Sequence, residues 1–331
     1  QKSQLGGGSP MIRGFATNRV LISVDGVRMN NAIFRSGNLQ NVISLDPFAI
    51  DKTEVLFGPG AVMYGSDAIG GAMNFNTLTP RFSSDVNAFF KGNAFTRYSS
   101  ANNEVTGHFD FNLGFKKWAF LSSVTLSEFG DLIMGSNGPD EYLRPDYQKI
   151  VDGKDSIFIN ENPKVQVASN YTQLNAMQKI RYKLNDNWDF NYGVHYSATS
   201  DVPRYDRLIE KNSKGILKDA EWYYGPQKWI MNVFNINNTT ENLFYNKMNI
   251  SLAHQYFEES RHNRSSGSSG LNHRTEKVNA LSANIDFEKV IDNKKKIYYG
   301  VEAVGNQITS EAEKENVKTG VISPLSTRYP D

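Results

Sequence analysis

Beyond residue 80, the chain alternates between apolar and polar residues with a period of two. Between residues 188 and 198, aromatic and aliphatic side chains occupy every second position, and polar residues or glycine occupy the positions between them. Residues 108–115 and 281–287 follow the same pattern. Because successive side chains of a β-strand point to opposite faces, this period predicts strands with one apolar and one polar face. Both a membrane β-barrel and a soluble antiparallel sandwich contain such strands.

The connections between these strands distinguish the two architectures. Short turns on one side and long loops on the other are typical of outer-membrane barrels, and a sandwich gives no reason for such segregation. The long segments here are 130–171, 201–227 and 260–276, together with the residues after 309. We therefore predict nine antiparallel transmembrane strands, at about residues 86–98, 104–115, 118–129, 172–184, 188–200, 228–238, 244–257, 277–289 and 297–309. Nine strands leave an open edge in lipid, so we expect the chain to be part of a longer protein.

The first 80 residues have a different pattern, which predicts a small mixed α/β domain. The pattern indicates strands at residues 20–24, 53–57 and 72–76, and short helical segments near 46–50 and 61–64. The first helical segment is expected because Asp46 suits an N-cap and Pro47 the first helical position. We therefore divide the chain into a domain of residues 1–80 and the strands of residues 81–331.

Composition and charge restrict the classes of protein further. The chain has 331 residues, with 36 basic and 35 acidic side chains and no cysteine. A net charge of +1 gives no reason to expect nucleic-acid binding, which usually requires a basic stripe. The lack of cysteine excludes disulfides and thiolate metal sites. Glycine-rich nucleotide loops and serine-hydrolase motifs are also missing from the sequence, which predicts a protein that is not an enzyme.

Four short motifs in the first 80 residues resemble the plug domain of TonB-dependent outer-membrane receptors. They read Gly-Gly-Gly-Ser-Pro-Met-Ile-Arg-Gly-Phe at 6–15, Val-Asp-Gly-Val-Arg at 24–28, Ile-Asp-Lys-Thr-Glu-Val-Leu-Phe-Gly-Pro at 50–59, and Tyr-Gly-Ser-Asp-Ala-Ile-Gly-Gly at 64–71. The resemblance implies a plug inside a 22-stranded barrel, of which about nine strands lie in this chain. It also implies the outer membrane of a Gram-negative bacterium, contact with its lipids, and energy from the TonB-ExbB-ExbD complex.

The same resemblance implies uptake of a nutrient that is too large for porins. The motifs are similar to those of receptors from the Bacteroidetes group, which favours an iron source, with haem or haemoglobin-derived haem first. A ferric siderophore, or another large nutrient such as cobalamin, is the alternative within transport. A receptor for adhesion or binding is the alternative from another class. Haem or a ferric chelate would be the transported ligand and not a cofactor of the protein. We expect no resident metal site.

Candidate binding residues come from the plug apex and from the long loops. By the resemblance, residues 29–41 form an apex that faces the outside, and their amide, aromatic and basic side chains suit an oxygen-rich or aromatic anionic ligand. The apex candidates are Arg28, Asn30, Asn31, Phe34, Arg35 and Asn38. The loop and lumen candidates are Tyr142, Arg144, His195, Tyr205, Arg207, Tyr223, Tyr224, His262 and His273. Both sets also suit polar loops and aromatic packing without a ligand.

The histidines carry more specific expectations. His108 and His195 lie on the polar, inward face of their predicted strands, where they suit haem iron ligation or, more commonly, hydrogen bonding in the lumen. His262 and His273 lie in a segment rich in serine and glycine, which we expect to be a mobile loop available for haem capture. By the resemblance, the plug position where several haem receptors carry histidine is occupied here by Asn38, which departs from that pattern.

Three charged residues in the plug sequence need partners if they are buried. They are Arg13, Arg28 and Glu54, which stand in a largely apolar context. The transfer of an ion out of water costs several kcal/mol, so a buried charge requires a counter-ion. The resemblance implies ion pairs within the plug core or between plug and wall, and ordinary surface charges are the alternative.

Overall fold

The computed structural model describes residues 8, 10–15, 19–29, 42–58, 64 and 66–329. Its N-terminal sheet contains four strands, β1 (Val20–Val24), β2 (Val27–Arg28), β3 (Ile50–Leu56) and β4 (Gly71–Thr77). Their order in the sheet is β2-β1-β4-β3, and β1 runs parallel to β4. The strands predicted in this region are therefore confirmed, with slightly different ends. We call this sheet and its connections the plug.

The helix predicted to begin near Asp46 is not formed. A 3-10 turn covers Val42–Ser44, and the Asp46 side-chain oxygen then accepts a hydrogen bond from the backbone N–H of Phe48 at 3.0 Å. Asp46 therefore closes a local turn. The residues from Ile50 onward, which the helix would have needed, pair with β4 instead. The helical turn predicted for residues 61–64 falls, apart from Tyr64, outside the described residues.

The rest of the chain forms long antiparallel strands and short strands in their connections. In chain order these are β5 (Phe89–Ser99), β6 (Glu104–Gly114), β7 (Trp118–Phe129), β8 (Leu132–Ile133), β9 (Asp146–Val151), β10 (Lys154–Ile159), β11 (Val165–Gln166), β12 (Tyr171–Lys183), β13 (Trp188–Thr199), β14 (Val202–Pro203), helix α1 (Tyr205–Leu208), β15 (Asp219–Tyr224), β16 (Lys228–Asn238), β17 (Lys247–Ser265), β18 (Gly270–Asp292), β19 (Lys295–Asn316) and β20 (Ile322–Pro324).

Nine long strands form one continuous sheet, which we call the wall. Their order is β19-β18-β17-β16-β13-β12-β7-β6-β5, and each pairs antiparallel with the next. The prediction of nine antiparallel strands is confirmed. In the part of the chain that the structure describes, the order ends at β5 and at β20, so the wall is an open sheet here.

The last three wall strands extend much further than their pattern predicts. They contain 19, 23 and 22 residues, whereas about 10 residues suffice to cross a bilayer as a tilted strand. The expected loop at 260–276 is therefore wrong, because β17 and β18 continue as a paired hairpin through most of it. The extension was not recognised because both of its faces are polar, and backbone pairing leaves no period-two signal in such a segment.

The two faces of the wall differ as the alternation predicts. Thr106 and Ser123 face the plug side and are almost fully buried, whereas Phe109 and Leu126 on the other face are about half exposed. The exposed face carries aliphatic and aromatic side chains, which suits lipid.

Among the described residues, no helix combines the length and the hydropathy needed to cross a membrane.

The larger of two apolar clusters that join the described parts of the plug and the wall lies on β16, β17 and β18; the smaller one packs Ala49 of the plug against Leu121 and Met177 of the wall. To the larger cluster the plug contributes Ile22, Val24, Val27, Met29 and Leu45, and the wall contributes Trp229, Met231, Val233, Ala253, Phe257 and Val278. These wall residues are an exception to the polar inner face, and they concentrate on β16, β17 and β18. The hydrophobic effect therefore fixes the plug against this side of the wall.

We expect Met231→Ala to weaken this plug–wall contact. Met231 is fully buried, and truncation of a buried methionine to alanine typically costs about 2–5 kcal/mol. Urea unfolding of the receptor in detergent, with protease cleavage of the plug as the readout, measures the loss. Leu252→Ala is the control, because Leu252 lies on the opposite face of the wall with 46% exposure. Equal losses in the two variants would contradict the assignment of Met231 to the contact.

Candidate functional site

A buried carboxylate lies where the plug meets the wall. Asp25 closes the turn after β1, and its two oxygens accept hydrogen bonds from the backbone N–H and the hydroxyl of Thr77 at 2.8 and 2.7 Å. The Lys179 ammonium of β12 lies 2.8 Å from the same carboxylate, and His195 Nε2 of β13 lies 3.1 Å from it. The Lys179 side chain is only 2% exposed. Each of these charges therefore depends on the other for compensation.

Wall amides add direct bonds to the plug backbone. Gln173 Nε2 donates to the carbonyl oxygen of Ile43 at 2.5 Å, and Gln255 Nε2 donates to that of Arg28 at 2.8 Å. Both amide side chains are buried. Because buried carbonyl groups need hydrogen-bond donors, these two residues satisfy plug groups that the plug sheet itself leaves open.

Arg28 connects the plug with β19 of the wall. Its guanidinium lies 3.1 Å from Asp67 and donates to the carbonyl oxygen of Tyr64 at 2.7 Å, both within the plug. Its Nε lies 2.7 Å from the Glu302 carboxylate of the wall. The structure thus places Arg28 in an ion-pair network and not at an open binding surface. The other apex candidates lie outside the described residues: Asn30, Asn31, Phe34, Arg35 and Asn38.

The placement of Arg13 and Glu54 in a plug core is wrong for this structure. The Arg13 side chain is exposed and lies over the Phe57 ring, 4.2 Å from its centroid. Glu54 is 40% exposed and forms an ion pair with Lys52 on the same strand. Glu54 belongs to β3, which is an edge strand of the plug sheet.

His108 and His195 face inward as predicted, but both lie beneath the plug. The ring nitrogens of His108 lie 2.6 Å from the Thr125 hydroxyl and 3.0 Å from the Asp110 carboxylate. The His195 side chain is 7% exposed and lies beside Asp25. The expectation that His195 contacts a ligand is therefore corrected, because the plug occupies that side of its ring.

The long connections between the wall strands fold against one another and enclose a cleft of about 270 Å³. Its walls combine aromatic rings, carboxylates and two basic side chains. They are formed mainly by Arg144, Tyr147, Lys149, Asp201, Asp219, Glu221, Trp222 and Tyr223. Burial raises the pKa of the Asp201 carboxyl. The cleft can therefore accept a polar group and stack it on aromatic rings.

The candidate Arg144 lines this cleft, and the candidate Tyr205 packs against it. Arg144 is 4% exposed and donates to the carbonyl oxygen of Val167 at 2.8 Å. Its guanidinium also lies 4.8 Å from the centroid of the Tyr205 ring. Arg144 therefore holds the connections together, and only part of its surface reaches the cleft.

The remaining loop candidates differ in their accessibility. Tyr142 is 64% exposed at the end of a 3-10 turn. Arg207 is half exposed and pairs with Glu210 at 2.9 Å. Tyr224 is buried, and its hydroxyl accepts a hydrogen bond from Arg204 at 2.6 Å. Tyr142 and Arg207 are thus available to a ligand, whereas Tyr224 is part of the interior.

A buried arginine that the sequence analysis missed organises these connections. Arg264 of β17 is 3% exposed, and it binds Asp155 of β10 at 2.7 Å as well as Glu221 of β15. Burial would raise the pKa of Asp155, but hydrogen bonds from Arg264 and from the Gly267 N–H hold it below its usual value. Only the unusual charge density of residues 258–264 could have indicated this role.

His262 and His273 do not lie in a mobile loop. They face each other on the adjacent strands β17 and β18, with their Nδ1 atoms 2.6 Å apart. The Tyr223 ring stacks on the His262 ring, with 4.5 Å between the ring centroids. Burial, and then the charge of His273, lower the pKa of His262 to about 4, so this ring is neutral at neutral pH. Within the described ranges, no group of three or more His, Asp or Glu side chains is arranged to hold a metal ion.

Comparisons with known proteins agree with this architecture. Residues 1–72 match the family described as the TonB-dependent receptor plug domain. The vitamin B12 transporter BtuB of Vibrio vulnificus (strain CMCP6) is 46% identical over 81 residues, which are 23% of this chain and 13% of that protein. The chain thus spans a small part of this curated relative.

Two solved structures share the fold over most of the chain. The copper transporter OprC has a TM-score of 0.70 at 14% identity, over 97% of this chain and 43% of that one. The FrpB iron transporter from Neisseria meningitidis has a TM-score of 0.65 at 17% identity, over 92% of this chain and 44% of that one. A plug domain followed by antiparallel wall strands defines the class of plugged outer-membrane barrels. The chain therefore carries a TonB-dependent receptor plug domain, followed by strands that share the fold of the wall of such outer-membrane receptors.

We expect Asp25→Asn to loosen the plug, because the substitution leaves the Lys179 charge buried without compensation. Loss of one partner of a buried pair typically costs about 3–5 kcal/mol. Urea unfolding in detergent measures this loss, and a second substitution, Lys179→Met, should recover part of it. Asp67→Asn is the matched control, since the Asp67 side chain is 62% exposed and surface pairs contribute about 0–1 kcal/mol. No recovery in the double variant would contradict the coupling.

We expect Arg264→Gln to release β9 and β10 from the wall. Hydrogen bonds to charged groups contribute about 1.5–3 kcal/mol each, and Gln cannot reproduce the guanidinium fork. Hydrogen exchange of the 146–159 backbone amides should become faster, while exchange in β6 and β7 stays unchanged. Lys277→Gln serves as control, because its partner Glu311 is 60% exposed. Unchanged protection of residues 146–159 would show that Arg264 does not organise this region.

Proposed function

We propose that this receptor imports an iron-bearing nutrient across the outer membrane, driven by TonB. The observation that carries the proposal is the way in which the plug is held. Buried polar groups of the wall bind plug groups directly, as Lys179 does with Asp25 and as Gln173 and Gln255 do with plug carbonyl oxygens. Such bonds can be exchanged for water when the plug moves.

The proposed sequence of events needs no covalent chemistry. A ligand first binds at the extracellular connections and the plug apex. TonB, energised with ExbB and ExbD in the inner membrane, then pulls the plug and breaks its bonds to the wall. We infer no enzymatic role, and the relatives are themselves named as transporters. Outer-membrane lipids contact the apolar face of the wall.

Haem is the cargo that we propose to test first, on the resemblance of the motifs to haem receptors. A ferric siderophore or cobalamin is the second candidate. The names of relatives support this alternative, since they include a vitamin B12 transporter and an iron transporter. An adhesion receptor remains the alternative from another class.

We expect cells that depend on this receptor to grow on one iron or corrin source, and only when TonB is present. The test supplies haem, ferric siderophores or cobalamin singly to a strain without other uptake routes, and repeats the growth after deletion of TonB. Titration of the receptor in detergent with haem should then give a saturable, shifted Soret band. A spectrum equal to that of free haem would move the assignment to siderophore or cobalamin. Ligand capture without any TonB-dependent growth would instead favour a binding receptor.

A further inference from the structure

Two histidines on adjacent strands point their ring nitrogens at each other above the membrane-spanning part of the wall. His262 and His273 occupy directly opposite positions in the β17–β18 register, and their Nδ1 atoms are 2.6 Å apart. Neither Nδ1 has another polar partner in the described part of the chain. At this separation the two nitrogens must share one hydrogen, because two bare lone pairs would repel each other.

The second ring nitrogen of each histidine, Nε2, already lies beside a hydrogen-bond acceptor. His262 Nε2 lies 3.2 Å from the carbonyl oxygen of Gly225, with the Ser260 hydroxyl at 2.8 Å. His273 Nε2 lies 3.2 Å from the Glu315 carboxylate. Metal-ligating histidines typically donate their second N–H to a backbone carbonyl or a carboxylate, which fixes the tautomer and the ring orientation. The pair has both kinds of acceptor in place.

We propose that His262 and His273 bind one divalent transition-metal ion between their Nδ1 atoms, in place of the shared hydrogen. Imidazole nitrogens suit Cu²⁺, Ni²⁺ and Zn²⁺, and affinities for a given nitrogen site rise from Ni²⁺ to Cu²⁺ and fall at Zn²⁺. The site therefore binds Cu²⁺ more tightly than Zn²⁺. Glu315 acts as a positioning residue that holds the His273 ring and offsets part of the ion's charge.

The geometry requires only a small adjustment. Metal–nitrogen bonds of about 2.0–2.1 Å place two nitrogens about 2.9 Å apart at the right angle of a tetragonal Cu²⁺ site and about 3.3 Å apart at a tetrahedral angle, so the rings must separate by about 0.3–0.7 Å. The χ2 torsion of histidine has a broad energy minimum that permits this rotation. Two protein nitrogens leave the other coordination positions to water or to donor atoms of a chelator, so the bound ion is exchangeable.

The position of the pair separates it from the route through the lumen. The β17–β18 register is regular from residue 247 to residue 263, so His262 shares a face with His254 and Tyr256, opposite to the face of Phe257 that packs on the plug. His273 keeps 18% of its side chain exposed, which leaves an access route for an ion. The metal site therefore lies on the face of the wall opposite to the plug contact.

Titration of the intact receptor in detergent with Cu²⁺ alone tests this site. Calorimetry should give one Cu²⁺ per receptor, and electron paramagnetic resonance should show coupling to two nitrogens. We expect at least tenfold weaker binding in His262→Gln and in His273→Gln, and a smaller loss of a few-fold in Glu315→Gln. His254→Gln is the matched control, because it removes a single histidine from the same face of β17. Binding to this control should equal that of the unaltered receptor.

Two further measurements keep the test decisive. If a Gln variant does not fold, Cu²⁺ should still protect His262 and His273 of the unaltered receptor from diethylpyrocarbonate, and His254 should stay reactive. An unchanged affinity and two-nitrogen spectrum in the His262→Gln/His273→Gln double variant would overturn the proposal, as would a lack of protection. Nutrient uptake by the folded double variant is measured in parallel. Uptake that persists in a double variant without Cu²⁺ binding would show that the metal site and the transport function can fail separately.

Discussion

The assembled structure depends on the ion pair between Asp25 of the plug and Lys179 of the wall. A buried charge is tolerated only with a counter-charge or several hydrogen bonds. Here the counter-charge of each ion comes from the other domain. Thr77 fixes the carboxylate at the end of β4, and the ammonium reaches it from β12. The position of the plug is therefore specified by electrostatics, because a displacement of a few ångströms leaves two charges unpaired in a poorly hydrated space.

The plug–wall interface contains both apolar and polar contacts, which have different effects on the position of the plug. The apolar cluster on β16, β17 and β18 provides non-directional attraction, which tolerates sliding. The hydrogen bonds from β12 and the ion pair to Asp25 are directional, and they select one position on that surface. A plug that must be held firmly and yet released needs this combination, since polar bonds can be replaced by water one at a time.

Much of the architecture could be predicted from the sequence, because the period-two pattern reports the difference between lipid and lumen. That signal found the nine wall strands and the inward face of His108 and His195. It was lost in the outer part of β17 and β18, where polar residues occupy both faces of the hairpin. The predicted helix at Asp46 had correct local chemistry, but pairing of β3 with β4 outweighed the capping preference.

The residues that the sequence did not reveal are those whose partners are distant along the chain. Lys179 could have been noticed as a charge on the inward face of a predicted strand, but nothing local indicates that Asp25 is its partner. Arg264 likewise joins β10, β15 and β17, which are separated by up to 109 residues. Buried ion pairs and the His262–His273 contact add to a small apolar cluster of Phe129, Tyr171 and Val202 in holding the long connections together. The connections that we propose to meet a ligand first are consequently held in part by charged contacts, which changes in protonation can alter.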